Sequence, residues 1–531
     1  MERFFNTSGP IFPEDHYAIP PLSRVDWDEI QYLIASKRYF ILHAPRQTGK
    51  TSTLLAIMDA LNAEGRYSAL YVNIEAAQAV RGDARTGMRV VCQAIANSAR
   101  TYRIEPALVE LCRDILQKDD AEGALTQLLT RWAEMSAQPI VLMLDEVDAL
   151  VGDTLISLLR QIRAGYAQRP SAFPQSIILC GVRDVRDYRL HTADNEVITG
   201  GSAFNIKAAS LRLGNFSPTE VRALYQQHTD ATGQSFDEAI FPELWEDTKG
   251  QPWLVNALGY ELTREDRTLR DRSIAITLTH YQAARERLIY SRATHLDQLT
   301  DKLKEPRINA VVTALLSGET TDLRLLEDDL QYVEDLGLIV RKPQIHIANR
   351  IYQEIIPREI TAPIQDSITH SQSWYLTPER RIDMPKLLTA FQQFFRENAD
   401  IWLQGLPYKE AGPHLLLQAF LQRIVNGGGR INREYALGRK RTDLIVEWPV
   451  DEAKGFYGEV QRIVIELKIL RNSLDATLAE GVQQTAEYTR HVGAQEAHLV
   501  IFNRNPNISW DEKIWHRTIS SNNIMIDAWG A

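Results

Sequence analysis

Residues 38–51 read RYFILHAPRQTGKT, and a helix-like stretch, STLLAIMDALNAEG, follows at 52–65. RYFILHA (38–44) is a short apolar run, the pattern of a buried strand. APRQTGKT (44–51) joins that strand directly to a helix. A loop so placed surrounds phosphates with its backbone N–H groups and with the N-terminus of the helix. Ala44, Pro45, Arg46, Gln47, Thr48, Gly49, Lys50, Thr51 and Ser52 are therefore the candidate nucleotide-binding residues. Lys50 is expected to reach the β- and γ-phosphates, and the Thr51 hydroxyl to bind Mg²⁺. Ala44 stands where such loops usually begin with glycine. Alanine is small but restricts φ, so the entrance to the loop differs from the common form. A GKT at a helix start also arises by chance; the strand before it and the helix after it argue against chance here.

Three further apolar runs extend the pattern outward: SALYVNIE at 68–75, PIVLMLDE at 139–146 and SIILCGV at 176–182. Helical patterns lie between them, which predicts a parallel sheet covered on both faces. The run IVLMLDE ends in two acids. Asp145 is expected to hold Mg²⁺, directly or through water, and Glu146 to polarise an attacking water near the γ-phosphate. Alone, such an acidic strand end simply meets solvent; beside APRQTGKT it reads as the second half of a nucleotide pocket.

PRQTGKT, LDEVD (144–148) and GQPWL (250–254) together resemble the AAA-like and STAND class of P-loop ATPases, over roughly residues 25–360. The resemblance implies bound ATP, a lid of helices after the core, and then a winged helix. In that class a Gly-x-Pro opening a lid helix lies near the nucleotide, and Gly250, Gln251 and Pro252 match it. The same three residues also read as an ordinary loop-to-helix entry with proline in the first turn. At the next strand the chain departs from many relatives, reading CGVRDVRD at 180–187. Arg183 or Arg186 fits a sensing or arginine-finger role. The favoured reading is instead a surface arginine paired with Asp184 or Asp187. Residues 306–350 have the pattern of short helices ending in two brief strands. The second helical stretch, LRLLEDDLQYVEDLG (323–337), carries five acids against Arg324 alone. That charge is wrong for a helix entering DNA, so the module reads as packing or regulatory.

The C-terminal region holds four pieces in order. Glu410 begins a helical stretch, Asp443 lies in GRKRTDLIVEW, Glu466 and Lys468 lie in RIVIELKIL, and Gln484 lies in GVQQTAEYTRHV. Side chains at i and i+2 of a strand share a face, so Glu466 and Lys468 point together, with Leu467 on the other side beside Ile463 and Ile465. This order resembles the PD-(D/E)XK nuclease superfamily over roughly residues 400–505, with Thr442 in place of the proline. The resemblance implies Asp443 and Glu466 converging on Mg²⁺ or Mn²⁺, hard cations that prefer oxygen. Lys468 orients water or stabilises developing charge, Glu410 holds metal-bound water or a second ion, and Gln484 assists near the nucleophile. Glu-x-Lys on its own is a common solvated strand end; the full ordered set carries the reading. Just before Asp443, residues 430–441 (RINREYALGRKR) gather Arg430, Arg433, Arg439, Lys440 and Arg441 against Glu434. Such a patch holds a nucleic-acid backbone, read here as DNA, or forms a plain basic hairpin surface.

A chain of 531 residues holds about three or four domains. The expected organisation is an α/β multidomain protein: an N-terminal segment 1–37, a P-loop ATPase core 38–215, a helical lid 216–299, a winged helix 300–360, a linker and helix 361–399, and a restriction-endonuclease-like α/β domain 400–531. The polar stretch 361–378 with Pro363 and Pro378 marks the linker. A formal charge of −10 argues against nucleic acid coating the whole surface, though not against a local patch. No apolar run is long enough to span a membrane, and the first residues do not read as a signal peptide. Cys92, Cys112 and Cys180 are scattered and odd in number, which fits a reducing cytoplasm. The function expected is an ATP-binding and hydrolysing protein that controls a metal-dependent nuclease, with homo-oligomers among its states and genome defence or mobile-element control as its setting. The rivals are a nucleotide-switched scaffold whose nuclease fold no longer cuts, and a signalling ATPase that assembles before it cuts.

Overall fold

The run YFILH forms strand β1 (Tyr39–His43), an inner strand of a five-stranded sheet with β2 (Ser68–Asn73), β3 (Ile140–Asp145), β4 (Ser176–Gly181) and β5 (Lys207–Arg212). The strand order is β2-β3-β4-β1-β5, and every pairing is parallel. A computed structural model gives these elements; it describes residues 2–531 except 118–122, 184–188, 192–196, 200–205, 291–300, 317–326, 357–374, 406–411, 426–428, 435–442, 452–453, 471–472 and 506. The chain divides into two units: Met1–Leu288 with Asp335–Gly337, and Ile289–Glu334 with Leu338–Ala531. Of the expected linker, residues 361–374 lie outside the described residues.

In the first unit, alternate residues of β1 serve opposite faces of the sheet. Tyr39 and Ile41 join Leu70, Val72, Leu142, Leu144 and Leu179 in one core. Phe40 and Leu42 join Leu54, Ile57 and Leu61 of the helix α1 (Lys50–Glu64) in the other. Burial on both faces is why these strands read as unbroken apolar runs. Cys92, Cys112 and Cys180 are buried and free. After the sheet come the helices Pro218–Thr232, Ile240–Thr248 and α2 (Pro252–Tyr260), in the region expected to be a lid. Ser217 and Glu220 form a reciprocal capping box at the first of these. The N-terminal segment packs on them. Ala18 and Gln227 exchange hydrogen bonds of 3.1 and 2.8 Å, and Trp253 Nε1 donates to the Thr7 carbonyl at 2.9 Å.

In the second unit, helix Pro306–Leu316, most of helix Glu327–Asp335 and a two-stranded hairpin (Ile339–Val340 with His346–Ile347) occupy the expected winged-helix region. A six-stranded sheet follows, built from β6 (Arg430–Glu434), β7 (Asp443–Pro449), β8 (Val460–Ile469), β9 (Glu496–Phe502), β10 (Trp515–Ser521) and β11 (Ile524–Gly530). The order is β6-β7-β8-β9-β11-β10. Strand β7 is antiparallel to both neighbours, β8, β9 and β11 run parallel, and β10 is antiparallel to β11. One face packs Phe420 of α3 (Gly412–Val425) and Phe391 of the helix before it against Val446, Ile463, Ile465 and Phe502. The other packs Val482 and Ala486 of α4 (Leu474–Val492) against Leu499, Ile501 and Ile526.

Candidate active site

The loop between β1 and α1 turns through two left-handed residues, Gln47 at φ 57° and Gly49 at φ 92°. A Cβ at 49 would also lie 2.8 Å from Arg24 Nη1, so the arginine end would have to shift; the left-handed φ is the stricter demand for glycine. Arg24 reaches from the N-terminal segment to brace the loop. Its Nη1 donates to the Thr48 carbonyl and its Nη2 to the Gly214 carbonyl, both at 2.7 Å, while the guanidinium lies 4.7 Å from the centre of the Phe216 ring. Inside the loop, Thr48 Oγ1 donates to the Pro45 carbonyl at 2.6 Å. The buried Lys50 donates its ammonium to the Ala44 and Pro45 carbonyls at 3.0 and 3.1 Å. The ammonium is thus held at the loop, where a phosphate chain would compete for it.

The two acids at the end of β3 sit beside the loop. Asp145 is fully buried, and its Oδ2 accepts from Thr51 Oγ1 at 2.7 Å and from the Tyr71 hydroxyl at 3.1 Å. A hydroxyl and a carboxylate converging this closely form an all-oxygen donor set, which suits Mg²⁺. Tyr71, on β2, carries no sequence signal of its own. Glu146 adopts a left-handed conformation at φ 60°, turning the chain away from the strand, and its N–H donates to Asp145 Oδ1 at 3.0 Å. Burial first, then the negative charges of Asp148 and Asp145, raise the pKa of its carboxyl from its ordinary value, with Lys50 opposing. Asp148 is held by the Val182 N–H at 3.1 Å, and a Cβ on Gly181 would lie 2.5 Å from its Oδ1.

This charge cluster sets a pH dependence. A raised pKa keeps Glu146 protonated to higher pH, so a reaction that needs it as a base gains rate at higher pH than an unperturbed carboxylate would give. Asp148→Asn keeps an acceptor for Val182 but removes a charge that raises Glu146. The acid limb of kcat/KM for ATP hydrolysis should then move to lower pH. An unmoved limb in that variant would separate Glu146 from the rate.

Arg183 corrects an expectation. Instead of lying on the surface, its side chain is 11% exposed and pairs through Nε with Asp335 Oδ2 at 3.2 Å. The segment Asp335–Gly337 also meets the phosphate loop, since a Cβ on Gly337 would lie 2.8 Å from Pro45 Cγ. Asp184, Arg186 and Asp187 lie outside the described residues.

Next to the loop is a cavity of ≈ 110 Å³, bordered by Gly49 and Ser52, by Ile11 and Tyr17 of the N-terminal segment, and by Trp253 and Asn256 of α2. Gly250, Gln251 and Pro252 do open α2 as a loop-to-helix entry. Gly250 has φ 71°, with no room for a Cβ against the Phe216 carbonyl, and Gln251 Oε1 accepts from the Leu254 N–H at 2.6 Å. Pro252 also lines the cavity.

In the second unit, Glu466 is fully buried on β8, and Lys468 Nζ lies 3.2 Å from its Oε1. The ammonium also donates to Gln484 Oε1 of α4 and lies 3.5 Å from Glu480 Oε1. Glu480 went unnoticed in the sequence, although its spacing of four from Gln484 puts both on one helix face. Leu467 is buried with Ile463 and Ile465 in the opposite core, as the strand period requires. Leu444 pairs with Ile465, so the next step along that antiparallel ladder sets residue 443 opposite residue 466. Arg430, at the start of β6, stacks 3.8 Å from the centre of the Phe456 ring. Glu410, Arg439, Lys440, Arg441 and Thr442, and the side chains of Arg433 and Asp443, lie outside the described residues. Among the described residues, no three His, Cys, Asp or Glu side chains gather as a metal-holding group.

A family model described as an AAA-like domain matches residues 28–356. No curated protein matches the chain. Among solved structures, a Walker-type ATPase of Pyrococcus abyssi is similar at 14% identity and a TM-score of 0.45, over 66% of this chain and 99% of that one. The RuvB Holliday junction branch migration motor of Thermotoga maritima is similar at 12% identity and a TM-score of 0.33, over 62% and 95%. Cdc6p from Pyrobaculum aerophilum is similar at 11% identity and a TM-score of 0.34, over 76% and 96%. No described helix is long and apolar enough to cross a membrane.

Proposed function

The chain belongs to the AAA-like domain family, and from that premise we propose that it binds and hydrolyses ATP with Mg²⁺ and thereby controls a metal-dependent nuclease carried in its second unit. The observation that carries the nucleotide half is the convergence of Lys50, Thr51, Asp145 and Glu146 at the ends of β1 and β3. Lys50 provides the cation for the phosphates. Thr51 and Asp145 provide the oxygens for Mg²⁺, which supplies charge neutralisation when bound. Glu146 draws a proton from the attacking water. The neighbouring cavity, between the N-terminal segment and α2, takes the base.

The nuclease half rests on the order of elements. Strand β7, strand β8 and helix α4 follow one another in the order in which the PD-(D/E)XK reading places Asp443, Glu466 with Lys468, and Gln484, and helix α3 precedes them. Glu466 and Lys468 share a face, and residue 443 stands opposite 466. Residues 430–441 would hold the DNA backbone. In this reading the hairpin-bearing helical module of the second unit is a winged helix that regulates rather than binds DNA. By the same reading the whole resembles the STAND plan, with nucleotide state governing cleavage and homo-oligomers among its states, in genome defence or the control of mobile elements.

Thermal melting tests the nucleotide half. Mg-ATP at about 100 times its dissociation constant should stabilise the protein by about 2.7 kcal/mol. Lys50→Ala should lose most of that shift. An equal shift in the variant would overturn the pocket assignment.

A further inference from the structure

We propose that Asn256 makes the cavity selective for a 6-aminopurine, its side-chain oxygen accepting a hydrogen bond from the exocyclic amine of the base; this rests on the nucleotide reading above. Asn256 lies one turn into α2 and lines the cavity beside Gly49 and Ser52, with only 6% of its surface exposed. Its amide orientation is determined by its partner. One end bonds to the Pro252 carbonyl at 2.8 Å, and a carbonyl only accepts, so that end is the NH₂ group. The other end is therefore the oxygen, which is enclosed and has no hydrogen-bond partner among the described residues. A buried acceptor left in this state is costly, and a ligand that brings a donor relieves the cost.

The rest of the wall suits a flat ring with one polar contact. Tyr17, Phe216 and Trp253 supply aromatic surface. Most other polar side chains there are already engaged: Asn6 Nδ2 donates to the Gly9 and Pro10 carbonyls, and Ser52 Oγ accepts from the Ile11 N–H at 3.0 Å. Arg24 Nε and Gln47 Oε1 are enclosed as well, but they belong to the brace and the turn of the phosphate loop. Asn256 alone of these three sits on the lid. An oxygen there welcomes the amine of adenine and repels the 6-oxo group of guanine or hypoxanthine, which presents an acceptor to an acceptor.

The test titrates the full chain, with Mg²⁺, against ATP, purine riboside triphosphate (no 6-substituent) and inosine triphosphate (6-oxo). The wild type should bind ATP roughly 10- to 100-fold more tightly than either analogue. Asn256→Leu, checked for an unchanged circular dichroism spectrum, should bind ATP and purine riboside triphosphate with similar affinity. Equal binding of ATP and purine riboside triphosphate by the wild type overturns the role of Asn256, as does discrimination that survives in Asn256→Leu. The ligand series on the wild type decides the point even if the variant does not fold. Binding of no triphosphate at all overturns the nucleotide reading, and this inference with it.

Discussion

Glu146→Gln is expected to bind Mg-ATP as tightly as the wild type and to hydrolyse it about 10²- to 10⁴-fold more slowly. The glutamine keeps the shape and the left-handed backbone but cannot take a proton from water. Binding should survive because the phosphates and Mg²⁺ are met by Lys50, Thr51 and Asp145, none of which hydrogen-bonds to the Glu146 side chain: from that residue Asp145 accepts only the backbone N–H, which glutamine keeps. Nor should the variant be weakened at neutral pH. The folded protein holds the Glu146 carboxyl above its ordinary pKa, so the ionised form is the one disfavoured by folding. That penalty is absent below the ordinary carboxylate pKa and grows as pH rises towards the raised value. A neutral amide removes it. Paired measurements of nucleotide affinity and single-turnover hydrolysis check this. Hydrolysis at the wild-type rate would show that another group polarises the water.

The second large effect belongs to the second unit. Asp443→Ala should reduce metal-dependent cleavage of plasmid DNA to the level of a metal-free control, because on the proposed nuclease reading it removes an oxygen ligand. Lys468→Ala should slow cleavage by about 10²- to 10³-fold, the loss typical when one charge-stabilising donor is removed. It also takes away the ammonium 3.2 Å from the buried Glu466 carboxylate. Stranding a buried charge costs about 3–5 kcal/mol, so the assay belongs below a lowered melting temperature. If the carboxylate is a metal ligand, added Mg²⁺ or Mn²⁺ should restore more stability to Lys468→Ala than it adds to the wild type. Neither change should alter basal ATP hydrolysis. If the wild type cuts neither DNA nor RNA in any metal or nucleotide state, or if Asp443→Ala cuts equally well, the scaffold reading replaces the nuclease.

Much of the first unit is legible from local pattern. The runs at 38–44, 68–75, 139–146 and 176–182 contain β1 to β4, because strands buried on both faces must be apolar throughout. Strand β5 escaped notice. Its sequence, KAASLR, lies at the sheet edge with β1 as its one neighbour, where a continuous apolar run is not required. In the second unit, the strand period alone places Leu467 away from Glu466 and Lys468. Which charged groups of α4 meet Lys468 depends on how that helix lies across the sheet.

Arg183 shows the limit most clearly. Nearby Asp184 and Asp187 made a surface pair the economical reading, yet the side chain is largely buried and pairs with Asp335, 152 residues along the chain. The N-terminal segment is similar: its sequence marks no site, yet Arg24 braces the phosphate loop and Ile11 and Tyr17 wall the cavity. The sequence by itself determined the strand–loop–helix of the phosphate site, the acids that end β3 and the shared face of Glu466 and Lys468. Each follows from backbone geometry over a few residues. Only the tertiary structure decided that Tyr71 and Thr51 share Asp145, that Asn256 faces the cavity wall, and that Arg183 is buried. Those partners are distant in the chain, and close packing, rather than local pattern, brings them together.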